Sequence, residues 1–132
     1  MPITKGVDAL VAEASAEITT YTAEQAIEMA ADPNVLLVDI RDVRELQRDG
    51  QVPGALHAPR GMLEFWVDPN SRYYKEVFGE PKTFVLFCAG GGRSALAALA
   101  LQQMGMDTVA HIGSGFRGWR DAGGAVEERP RR

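Results

Sequence analysis

One cysteine, Cys88, and two histidines, His57 and His111, are the only thiol and imidazole groups in these 132 residues. A single thiol excludes an intrachain disulfide and a cysteine cage for zinc. The two histidines form no metal-ligand pattern, and no motif calls for a cofactor. Neither sign of charge dominates. The net charge is -4 with 24% charged residues, so no global field draws the chain to nucleic acid. The one basic cluster, Arg129, Arg131 and Arg132, ends the chain, and a frayed tail accounts for it. No apolar run approaches the roughly 18 residues of a spanning helix, so no membrane partner is expected. The opening MPITKGVDALVAEA lacks a charged segment followed by an apolar stretch, so no signal peptide is expected. A cytoplasmic location is the default expectation.

Apolar residues make up 45% of the chain, enough for one domain with a real core. Val7, Leu10, Val11, Ala14 and Ile18 recur at helical spacing. Thr22 and Gln25 form a capping box that starts a second helix, which should stop near Asp32-Pro33. Asn34 to Ile40 reads as a strand covered on both faces, with Asp39 and Arg41 at its C-terminal end. A short helix over Val43 to Gln47 follows, then a turn at Gly50 to Gly54 and a short strand ending at His57. Gly61 to Val67 reads as a helical turn and Thr83 to Phe87 as a second apolar strand. Ser94 to Met104 is a helix rich in alanine and leucine. Thr108 to Ile112 is a third strand, and a last short helix runs through Trp119. Strands alternating with helices predict an α/β domain with a mainly parallel central sheet, helices on both faces and right-handed crossovers.

The chemistry is concentrated in Phe84-Val85-Leu86-Phe87-Cys88-Ala89-Gly90-Gly91-Gly92-Arg93-Ser94. Cysteine counted alone reads as a small buried hydrophobe. Here it stands at the carboxyl end of a strand, where open α/β sheets bind ligands. Ala89, Gly90, Gly91 and Gly92 allow successive N–H groups to converge on one anion. The helix opening near Ser94 and the charge of Arg93 add to that field. The first anion so favoured is the Cys88 thiolate.

Four segments in order resemble the rhodanese family. Val38-Asp39-Ile40-Arg41 followed by Glu45 is similar to its early D-V-R segment. Gly50-Gln51-Val52-Pro53-Gly54-Ala55 is similar to its G-H-I-P-G-A turn, with Gln51 in place of the usual histidine. Phe87-Cys88 through Arg93-Ser94 resembles its active-site loop. Gly113-Ser114-Gly115-Phe116-Arg117-Gly118-Trp119 resembles its G-G-F-x-x-W segment. The resemblance implies a three-layer domain over residues 21–127, preceded by a helical extension over 1–20 and followed by the basic tail 128–132. It implies transfer of a sulfane sulfur from a small anionic donor such as thiosulfate, through a Cys88 persulfide, to cyanide, a thiol or a protein acceptor. Residues 89–94 would bind the donor. The family often carries a second cation inside this loop, where this chain has alanine and glycine.

Other readings stand beside this one. Arg93 either holds the donor or braces the loop through a carboxylate. Asp39 and Arg41 read as a structural ion pair or loop brace in support, with direct catalysis the alternative; His57 and His111 read as hydrogen-bonded structural histidines, with donation to substrate or acceptor the alternative for His57. Met62, Leu63, Phe65, Trp66, Tyr73, Tyr74 and Phe78 read mostly as core, some as pocket wall or docking surface. Trp119 reads as core. A cysteine phosphatase or arsenate reductase places five residues between cysteine and arginine, where this chain has four. A binding, regulatory or redox-sensing module is the non-enzymatic alternative.

Overall fold

The computed structural model describes residues 1–131. Thirteen segments of regular structure alternate along the chain. Five strands, β1 (Thr19–Tyr21), β2 (Val35–Asp39), β3 (Leu56–His57), β4 (Thr83–Phe87) and β5 (Val109–Ile112), form one parallel sheet in the order β1-β5-β4-β2-β3. β4 lies at the centre, flanked by β2 and β5, because its side chains are apolar toward both faces.

Alternation along the strands divides the core in two. Val38, Phe84 and Leu86 point to one face, against Leu63 of α4 (Leu63–Val67) and Ala97, Ala98 and Leu101 of α5 (Gly92–Gln103). Leu37, Val85 and Phe87 point to the other, against Ala26 of α2 (Ala23–Met29) and Phe116 and Trp119 of α6 (Gly115–Asp121). Each such buried leucine or phenylalanine contributes about 1.5–3 kcal/mol. The expected α/β sandwich with helices on both faces is therefore present.

The helix starts follow from local chemistry. The Thr22–Gln25 capping box forms, with reciprocal bonds of 2.8 and 3.1 Å. A second box, Asp42 with Glu45, opens α3 (Val43–Asp49). α2 ends at Met29 and a turn carries the chain on to Asp32, whose N–H donates to the Met29 carbonyl at 3.0 Å. α1 (Val7–Glu17) packs on α5, and Gln102 Nε2 donates to the Glu17 carbonyl at 3.0 Å.

Three expectations need correction. Thr19 and Thr20, expected in the helical extension over 1–20, and Tyr21, expected at a helix start, form an edge strand paired with β5. The region before β4 is only partly core: Leu63, Val67 and Phe78 are buried, whereas Phe65 and Tyr73 are 53% and 48% exposed. The helical period explains this, since Leu63 and Val67 are four apart and Phe65 falls between them on the opposite face. The basic tail is tied down at Arg129, whose Nη1 donates to Gln51 Oε1 at 3.2 Å. Gln51 also exchanges backbone hydrogen bonds of 2.9 Å with Glu127. Arg132 lies outside the described residues. No helix among the described residues is long and apolar enough to cross a membrane.

Candidate active site

Cys88 follows the last residue of the central strand and is 1% exposed. The chain then turns sharply into α5. Gly91 makes that turn at φ +107°, in the left-handed region, and a Cβ there would collide with the Gly113 carbonyl oxygen. The turn aims the Gly91 N–H at Cys88 Sγ, 3.1 Å away. This is the loop amide that bonds the sulfur, and it supplies a donor suited to a thiolate. α5 begins at Gly92, two residues before the expected start, because the Gly91 carbonyl already accepts the Ala95 N–H at 3.1 Å.

The segment after β5 clamps the loop from the side. Phe116 N–H donates to the Cys88 carbonyl at 2.7 Å, and Arg117 N–H to the Ala89 carbonyl at 3.1 Å. The late glycine-rich motif and the cysteine motif thus form one unit through backbone bonds.

A buried polar chain leads away from the sulfur. Cys88 Sγ lies 3.6 Å from Ser94 Oγ. Ser94 Oγ is 2.9 Å from His111 Nδ1, and His111 Nε2 is 3.1 Å from Thr20 Oγ1. Either the Ser94 hydroxyl donates to His111 or it donates to the Gly91 carbonyl at 3.2 Å while His111 Nδ1–H donates to Ser94. Burial lowers the His111 pKa from the ordinary 6.5, favouring the neutral ring. His111 is thus hydrogen-bonded, as read, but its partner touches the cysteine, which its position in the sequence does not reveal.

Arg93 pairs with Glu45 of α3, with bonds of 2.8 and 3.0 Å. The Arg93 hydrogen bond holds the Glu45 carboxyl below its ordinary value, and the same bond raises the guanidinium. The carboxylate brace of Arg93 is present, and its guanidinium also lies near enough to Cys88 to be raised by it. Asp39 and Arg41 form a buried pair with a 2.7 Å contact. Arg41 also donates to the Gly50 carbonyl at 2.9 Å and stacks over Phe116 at 4.0 Å. It fastens β2, the Gly50 turn and α6 together. His57 Nε2 lies 2.7 Å from the Arg41 carbonyl. Asp39, Arg41 and His57 therefore form a scaffold under the site, separate from the loop. Trp119 is core, its Nε1–H satisfied by the Ala125 carbonyl at 2.8 Å.

A cleft of about 360 Å³ is lined by Thr20–Glu24, Gly113 and Ser114. None of its walls belongs to the Cys88 loop. Among the described residues no cluster of His, Cys, Asp and Glu is arranged to hold a metal ion.

Fold and site together define a parallel α/β domain with a buried cysteine at the end of the central strand, followed by a glycine-rich turn into a helix. The family model described as "Rhodanese-like domain" matches residues 22–122. The chain belongs to the rhodanese-like domain family. Similar proteins include a Rhodopseudomonas palustris protein of unknown function described as a "Possible Tyrosine Phosphatase". It is 52% identical with a TM-score of 0.93, over 96% of this chain and 98% of that one. The polysulfide-sulfur transferase homodimer of Wolinella succinogenes is 25% identical with a TM-score of 0.69, over 94% of this chain and 88% of that one. The mouse "Thiosulfate sulfurtransferase/rhodanese-like domain-containing protein 3" is 24% identical over 91 residues, 65% of this chain and 58% of the mouse protein.

Proposed function

We propose that the protein is a sulfurtransferase that carries a sulfane sulfur as a persulfide on Cys88. The observation that carries this reading is the Gly91 N–H directed at Cys88 Sγ at 3.1 Å, at the end of the central strand. That donor favours negative charge on sulfur, which both the thiolate and the persulfide bear.

The Cys88 thiolate attacks the outer sulfur of a donor such as thiosulfate. A new S–S bond forms, the sulfur–sulfur bond of the donor breaks, and sulfite leaves with its electron pair. The acceptor, cyanide or a thiolate, then attacks the outer sulfur of the persulfide. Its bond to that sulfur forms as the bond to Cys88 Sγ breaks, and the thiolate is restored. Charge balances in both steps and no external proton donor is required. Ping-pong kinetics follow from the covalent intermediate. Loop amides from Ala89 to Ser94 are the groups available to stabilise the donor's charge.

Phosphoryl transfer is the competing chemistry, because a relative at 52% identity is described as a possible tyrosine phosphatase. Four residues separate Cys88 from Arg93, one fewer than the phosphatase loop holds, and Arg93 is engaged by Glu45. Both features favour a sulfur atom over a phosphoryl group. Intact mass after incubation with thiosulfate decides between them. The expected result is a gain of one sulfur, removed by cyanide and absent in Cys88→Ala. An unchanged mass with turnover of an aryl phosphate would overturn the proposal.

A further inference from the structure

We propose that Arg117 is the residue that receives the anionic end of the sulfur donor, and this rests on the sulfurtransferase reading of the loop. Arg117 stands in the first turn of α6, outside the cysteine motif. Its backbone N–H is fixed to the Ala89 carbonyl at 3.1 Å, so this turn moves with the loop. Its Nη1 lies 3.1 Å from the point where a Cβ on Gly90 would stand. The guanidinium therefore occupies the space that any side chain at position 90 would enter. The second cation missing from the loop's own sequence is supplied across it from another helix.

The state of its neighbours makes Arg117 the available charge. Arg93 is held by Glu45, Arg41 by Asp39 and Arg120 by Asp121. Among the described residues Arg117 enters no ion pair or side-chain hydrogen bond, and its side chain is exposed. Arg93 also lies near Cys88, but recruiting its Nη1 and Nη2 to a substrate anion would compete with the two-point contact to Glu45. Recruiting Arg117 breaks none. Its planar donors match a tetrahedral oxyanion in two-point fashion. The substrate class that fits is a donor whose leaving group is an oxyanion of sulfur, with its sulfane sulfur toward Cys88 and its oxygens toward Arg117. A neutral donor gains nothing from this residue.

Two measurements test this on the purified chain, with Arg117→Gln, Arg117→Lys and Arg120→Gln. The first is the rate of Cys88 persulfide formation as thiosulfate is varied. The second is the ratio of Cys88 alkylation rates by iodoacetate and iodoacetamide, which reads anion preference at the sulfur without any sulfur transfer. In Arg117→Gln the thiosulfate concentration for half-maximal loading should rise about tenfold, the loss of one charge-assisted contact. The maximal loading rate should stay within about twofold, since the lost contact serves binding. The alkylation ratio should fall about fivefold. Arg117→Lys should recover part of both effects, and Arg120→Gln should match the parent. Unchanged alkylation ratio and unchanged half-saturation in Arg117→Gln would overturn the assignment. If thiosulfate fails to load the parent protein yet the ratio still falls in Arg117→Gln, the anion site stands and the thiosulfate reading fails.

Discussion

Arg93 grips Glu45 through two hydrogen bonds of 2.8 and 3.0 Å, fastening the loop after Cys88 to the first turn of α3. Glu45 also closes the capping box of that helix, accepting the Asp42 N–H at 3.0 Å. One carboxylate thus serves both the start of α3 and the first turn of α5, just after the Cys88 loop. Because Arg93 is partly exposed, the pair should be worth about 0.2–1 kcal/mol in a double-mutant cycle of Arg93→Ala and Glu45→Ala. Glu45 titrates below its ordinary 4.5 in the fold, so its contribution is complete above that value. It fades as pH falls through the lowered one. Urea midpoints of the parent and Glu45→Gln should converge in acid.

His111 titrates in the opposite charge sense. Burial lowers its folded pKa from 6.5, so between the folded value and 6.5 the unfolded chain binds more protons. Stability should therefore rise with pH through that window and be lost on acidification below about 6.5. From about pH 7.5 to about pH 5.5 the parent should lose more stability than His111→Gln does, read from urea midpoints. Equal losses would exclude His111 as the titrating group.

The Gly91 turn tolerates no side chain. Gly91→Ala combines an unfavourable positive φ with a collision at the Gly113 carbonyl. It should destabilise the fold by about 1–3 kcal/mol and misdirect the amide that bonds Cys88 Sγ. Thermal unfolding and the rate of Cys88 alkylation check the two effects separately.

The Asp39–Arg41 pair is the scaffold most sensitive to a single change. Asp39→Asn leaves Arg41 buried without its counter-charge, and such a loss costs about 3–5 kcal/mol. Denaturant unfolding should show this, and intact mass should show that the folded fraction of the variant still loads sulfur. A folded variant unable to load would place Asp39 in the chemistry.

Local chemistry was legible in the sequence, and non-local placement was not. Strand, cysteine, glycine loop and helix follow one another within eleven residues, and their order alone positions Cys88 at the end of the central strand. The Thr22 cap was equally readable. β1 carries no local signal, because Thr19, Thr20 and Tyr21 are too few to show alternation and their partners begin at Ala110. The Asp42–Glu45 box carried a sequence signature, but Glu45 read as part of a family motif concealed it. No local pattern signals that Ser94 joins Cys88 to His111, or that Arg117 faces Gly90, because the docking of β5 and α6 on the loop creates both relationships.

The near-complete concealment of Cys88 carries a consequence for the order of events in the proposed cycle. With Cys88 only 1% exposed, a donor in the proposed cycle would have to be slender to reach it. Adding one sulfur carries the reactive atom outward by about 2 Å, the length of a disulfide bond. The cargo lengthens the arm that holds it. An acceptor too bulky to touch the empty cysteine meets the sulfur only after it has been picked up, so delivery waits on loading without any moving part.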